Sequence, residues 1–129
     1  MNDIKLFQER VTHWLLECFS QTVATSRRER NFRFVEEALE LAQASGLTRA
    51  DVDLLADYVF SRPVGDTNQE VGGVMVTLSA LCWEAELDLN DCAQDELQRI
   101  RKPDVMEKIR AKQNAKTAVG VGLVNEVSK

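Results

Sequence analysis

Glu70-Val71-Gly72-Gly73-Val74-Met75-Val76-Thr77-Leu78-Ser79-Ala80-Leu81-Cys82-Trp83 decides the class of the fold. Beyond Glu70 the stretch carries no charge and hardly any polar face, and it lacks the alternation of a half-buried strand, so it predicts a helix buried on nearly every side. That helix begins near Asp66 or Thr67, after a loop marked by Pro63 and Gly65, and reaches about Glu86. On a helical wheel Glu70 shares the stripe of Val74, Thr77 and Leu81, which points its carboxylate inward. A charge buried alone costs several kcal/mol and asks for a cation, a metal or a proton. The plainer alternative is an acidic residue favoured by the dipole at the helix start. Gly72 and Gly73 each forgo about 1 kcal/mol of helix propensity relative to alanine, which suggests close approach by another helix or by a ligand.

The rest of the chain has the same helical period. A first helix starts after Asn2 or Asp3, carries Ile4, Phe7, Val11, Trp14, Leu15, Cys18 and Phe19 at three-to-four spacing, and ends between Val23 and Thr25. A second runs from about Arg27 to Ser45, with Gly46 as its left-handed terminator. Thr48-Arg49-Ala50-Asp51 opens a third, to about Phe60, with a capping-box-like start. A fifth is capped by Asn90 or Asp91, interrupted at Pro103, resumed near Asp104, and fades after Lys116. The class is therefore all-α, with long helices and short connections favouring an antiparallel bundle within one domain, residues 1–116; residues 117–129, with two glycines and no amphipathic period, read as a flexible tail.

On the second helix, Phe34, Val35, Ala38, Leu39, Leu41 and Ala42 fill one arc, and Glu36, Glu37 and Glu40 the other. Carboxylates three and four residues apart repel by a few tenths of a kcal/mol per pair, so something positive belongs beside them. That is either a bound cation or simply Arg30 and Arg33 neutralising a solvated face.

Composition narrows the function. At 129 residues and 44% hydrophobic, the chain fits one domain, and no run approaches the ~20 apolar residues of a membrane helix. The first residues lack the marks of a signal peptide, so a cytoplasmic location is expected. Cys18, Cys82 and Cys92 lack metal-site spacing and read as reduced thiols, at least two of them in the core. Residues 1–96 carry 8 basic and 18 acidic side chains, a net −10, and residues 97–129 carry 8 and 3, a net +5. An acidic body argues against a nucleic-acid surface and suits divalent cations, which take carboxylate oxygens. The chain has neither a P-loop nor a dinucleotide-binding glycine pattern, and its one histidine, His13, reads as structural.

The string Glu36-Glu37-Ala38-Leu39-Glu40-Leu41, followed some thirty residues later by Glu70-Val71-Gly72-Gly73-Val74-Met75-Val76-Thr77-Leu78, resembles the paired motifs of MazG-like all-α nucleoside triphosphate pyrophosphohydrolases over roughly residues 27–100. The Arg-rich lead-in from Arg27 to Phe34 looks like versions from phage and prophage genomes. The resemblance implies a four-helix core and Mg²⁺-dependent (or Mn²⁺-dependent) release of pyrophosphate from a nucleoside or deoxynucleoside triphosphate, while the helix from Glu70 on, apolar on nearly every face, exceeds what so small a chain can cover and predicts a homodimer or homotetramer that buries it. It implies Glu37, Glu40 and Glu70 as metal ligands and Glu36 as the residue that positions or deprotonates the attacking water. Arg33, Lys108 and Arg110 are candidate phosphate contacts. Where the family has the last aspartate of its second motif this chain has Gly73, with Asp66, Asp57 or Asp88 as possible substitutes. The alternative is therefore a catalytically inactive helical binding protein of the same build.

Overall fold

A computed structural model describes residues 3–123, and among them every regular element is an α-helix. In chain order these are α1 (Asp3–Cys18), α2 (Gln21–Ala24), α3 (Arg27–Ala44), α4 (Arg49–Phe60), α5 (Thr67–Glu84), α6 (Leu89–Ile100) and α7 (Pro103–Ala118). No helix among the described residues is long and apolar enough to cross a membrane.

Local signals set most boundaries. Gly46 ends α3 at φ +101°, with Leu47 N–H donating to Ala42 O at 2.9 Å in the six-to-one bond that closes a helix on a left-handed residue. Thr48 and Asp51 form the reciprocal capping box on α4, each side chain accepting the other's backbone N–H. Asp66 caps α5 through Gln69 N–H. Pro103 is the first residue of α7, where its missing donor and fixed φ are tolerated, so the proline begins a helix rather than delaying it to Asp104.

Two boundaries differ from the sequence expectation. The single first helix breaks after Cys18, because Ser20 takes an extended conformation (ψ 158°) and caps α2 by accepting from Val23 N–H. Asp88, rather than Asn90 or Asp91, caps α6, accepting from Asp91 N–H at 2.8 Å.

The described residues fall into two compact units, 3–40 with 97–123, and 41–96. In the first, Cys18, Ala24, Leu97 and Met106 are buried, Leu97 being 2% exposed. The Trp14 indole donates to Ile100 O at 2.8 Å and meets the Phe19 ring edge-on at 5.9 Å between centroids. Arg110 donates from Nε to Cys18 O at 2.7 Å and from a terminal nitrogen to Glu17 O at 3.2 Å, satisfying carbonyls that the end of α1 leaves open.

In the second unit Cys82, at 8% exposure, is the one buried apolar residue among the described residues. The all-round burial expected of α5 is therefore not met within one chain: Val71, Val76 and Trp83 are 66%, 68% and 82% exposed. Cys18 and Cys82 are buried thiols, as expected of two of the three, and Cys92 is exposed.

Candidate functional site

The first turns of α3 are rich in charge, and folding sorts those charges into pairs. Ser26 Oγ accepts from Glu29 N–H at 3.1 Å, fixing the helix start, and the Glu29 carboxylate meets Leu123, beyond the end of α7. Glu29 is wholly buried. Its Oε1 meets Arg33 Nε at 2.9 Å and Arg30 at 3.8 Å, ion pairs without good hydrogen-bond alignment, and its Oε2 accepts from Leu123 N–H at 2.6 Å.

Arg33 is the hub. Besides Glu29 it reaches Glu36 Oε1 at 3.1 Å and donates to Val121 O at 2.5 Å, while Arg28 donates to Gly122 O at 2.8 Å. Residues 121–123 are thereby strapped to α3, where the sequence reading expected a flexible tail from 117 onward. Two glycines allow it: Gly120 and Gly122 have φ of +76° and +117°, and a Cβ on Gly122 would collide with Glu29 Oε2 and crowd Arg33.

Glu36 stands at the other end of this chain of charges. Lys116, from α7, donates to the same Oε1 at 2.7 Å. Partial burial by itself raises the Glu36 carboxyl, but the Lys116 hydrogen bond and charge, with the Arg33 guanidinium, outweigh it and hold the group below its ordinary range. Glu36 is thus a paired anion, suited to accepting a hydrogen bond and poorly suited to retaining a proton.

Glu37 and Glu40 lie exposed on the following turn of α3. Glu70 is exposed in the first turn of α5, folded back beside Gly65, so its expected inward direction is not met: a Cβ on Gly65 would lie 2.6 Å from Glu70 Oε1. The reason is that α5 has no covering element over its first turns in the single chain, and a carboxylate at a helix start is stabilised by the dipole where it stands. Glu37 and Glu40 belong to the unit of residues 3–40, and Glu70 to the unit of 41–96. Among the described residues, no three His, Cys, Asp or Glu side chains gather as a metal-ligand group.

Of the expected phosphate contacts, Arg33 is engaged by Glu29, Glu36 and Val121, Arg110 closes α1, and Lys108 is exposed on α7. Sequence reasoning missed Glu29 and Lys116. The four-residue step from Glu29 to Arg33 hinted at a pair, but nothing local signals that it is buried. Phe32 lies under the Arg28 guanidinium at 4.5 Å and Tyr58 beside Arg62 at 5.0 Å. Comparison of the chain with protein-family models, with curated proteins and with solved structures gave no match.

Proposed function

We propose that the chain is a Mg²⁺-dependent nucleoside or deoxynucleoside triphosphate pyrophosphohydrolase of MazG-like build, acting in the cytoplasm as a homodimer or homotetramer. The observation that carries this reading is the arrangement on α3: Glu37 and Glu40 lie exposed at a three-residue spacing beside Glu36, whose charge meets Arg33 and Lys116. Side chains so spaced are neighbours on a helix, and an all-oxygen donor set suits a hard divalent cation over a softer one.

Glu37 and Glu40 would hold the metal, which would supply charge neutralisation on the phosphates when bound. Glu36, kept ionised by two cations, orients the attacking water through an accepted hydrogen bond rather than by storing its proton. Arg33 positions Glu36. Lys108 is the exposed cation left for an outer phosphate.

The test is pyrophosphate release from a panel of nucleoside and deoxynucleoside triphosphates with Mg²⁺ or Mn²⁺, run beside Glu40→Gln. Metal-dependent release that the variant loses supports the reading, and a folded protein that hydrolyses no triphosphate under any of these conditions refutes it. The second reading, an inactive helical binding protein, is favoured by Gly73 standing at the position of an expected ligand. It predicts that neither cation raises the thermal midpoint, whereas specific binding raises it by linkage.

A further inference from the structure

We propose that residues 121–123 are a displaceable internal occupant of an anion site on α3, which takes an oligophosphate when the strap leaves. The strap meets α3 through its main chain: Val121 O accepts from Arg33, Gly122 O accepts from Arg28, and Leu123 N–H donates to Glu29. Val121 is 40% exposed and buries little apolar surface, so polar contacts hold the segment in place. The helices beneath have ties of their own, Lys116 to Glu36 and Arg110 to the end of α1, and stay packed when the strap detaches.

What the strap covers is a surplus of positive charge. Arg28, Arg30, Arg33 and Lys116 bring four cations, and the carboxylates set among them, Glu29 and Glu36, bring two negative charges, leaving +2 beside neutral carbonyls. It stands on a chain whose first 96 residues carry a net −10. Arg30 shows that this charge is not used up. Its Nε and one terminal nitrogen are buried and have no hydrogen-bond partner among the described residues, with Glu29 Oε1 3.8 Å from that terminal nitrogen. Those two donors form the side-on fork with which a guanidinium takes two oxygens of a phosphate.

The acceptors decide between strap and ligand. A phosphoryl oxygen adds the attraction of a full negative charge to the hydrogen bond that a neutral carbonyl accepts. Arg28 and Arg33 reach the carbonyls of two adjoining peptide units, and two linked phosphoryl groups present oxygens in the same succession, which selects an oligophosphate over a single phosphate. Glu29 keeps Arg33 Nε at 2.9 Å, so its own charge stays neutralised after the Leu123 N–H goes. The inference adds a regulation to the function proposed above and rests on that reading for one consequence: Arg33, which positions Glu36, changes partners when the strap leaves.

The test is amide exchange at Leu123 and calorimetric binding of inorganic pyrophosphate to the full chain, in chelator so that no divalent cation takes part, with sodium chloride at matched ionic strength as the control. Because strap and pyrophosphate exclude each other, pyrophosphate is expected to speed exchange at Leu123 severalfold and chloride is not. Gly122→Ala, which weakens the strap, is expected to bind pyrophosphate at least about fivefold more tightly than the wild type, since the docked strap withholds the site. Should that variant fail to fold, the wild-type exchange measurement decides by itself. Exchange at Leu123 that pyrophosphate leaves unchanged, or that chloride speeds as much, overturns the proposal, and so does equal affinity of a folded Gly122→Ala and the wild type. Neither readout involves a metal or turnover. A chain that hydrolyses no triphosphate can therefore still have this site, and one that hydrolyses them with an indifferent Leu123 loses this inference alone.

Discussion

Replacing Gly122 with alanine tests the strap that ties residues 121–123 to α3. Gly122 sits at φ +117°, and a Cβ built there collides with the buried Glu29 carboxylate and approaches Arg33 to 2.8 Å. A side chain forced into this region costs about 1–2 kcal/mol in backbone strain. If the segment moves to escape it, Glu29 loses the Leu123 N–H, a hydrogen bond to a charged group worth about 1.5–3 kcal/mol. The segment takes whichever course costs less, so the expected loss is about 1–3 kcal/mol. It is capped by the strap's own contribution, because the segment can detach while α3 and α7 stay packed. Urea unfolding followed by far-UV circular dichroism at fixed protein concentration measures the loss, and amide exchange at Leu123 reports whether its donor is released. A midpoint shift worth less than about 0.5 kcal/mol, with Leu123 still protected, would refute the reasoning, since it would mean that Glu29 does not need this geometry.

Lys116→Met removes the cation nearest Glu36 and is expected to lower stability at neutral pH by about 1 kcal/mol or less, as befits a partly exposed pair. Because the Glu36 carboxyl is held below its unfolded value, this stability is present above about pH 4.3 and lost as pH falls through the folded value, so wild-type and variant melting curves should converge in acid. Glu86 is the one non-glycine residue with positive φ among those described, at 58°, and it follows the end of α5; Glu86→Gly should stabilise by about 1 kcal/mol, seen as a midpoint a few degrees higher. Gly73→Asp meets nothing within 4 Å of its new Cβ and replaces one poor helix former with another, so the fold is expected to survive. It restores the carboxylate three residues after Glu70 and should increase Mg²⁺-dependent pyrophosphate release, and an unchanged rate in the folded variant counts against a metal site at Glu70.

What could be read without coordinates was governed by neighbours four or five residues away. Gly46 ends α3, Thr48 and Asp51 open α4, and Pro103 marks the start of α7, because caps and proline act on their own turn of backbone. Ser20 shows the limit of the pattern: the apolar period runs straight through it, yet its hydroxyl competes successfully for Val23 N–H while Arg110, more than ninety residues away, satisfies the carbonyls left behind.

The candidate carboxylates were legible for the same reason, since their spacing on a wheel needs only the helical period. Which of them would be buried, paired or exposed was not. Glu29 and Glu36 look alike in sequence, seven residues apart on one helix. Only the return of residues 116–123 gives Glu29 the Leu123 N–H to accept and makes Glu36 a partner of Lys116. Sequence alone determined that this protein is helical, where most helices begin and end, and that α5 has no charged face between Val71 and Trp83. Tertiary structure decided that residues 121–123 are fastened to α3 and that α5 stays exposed in the single chain, because burial and charge pairing depend on groups brought together from 80 to 94 residues apart, a distance over which local propensity carries no information.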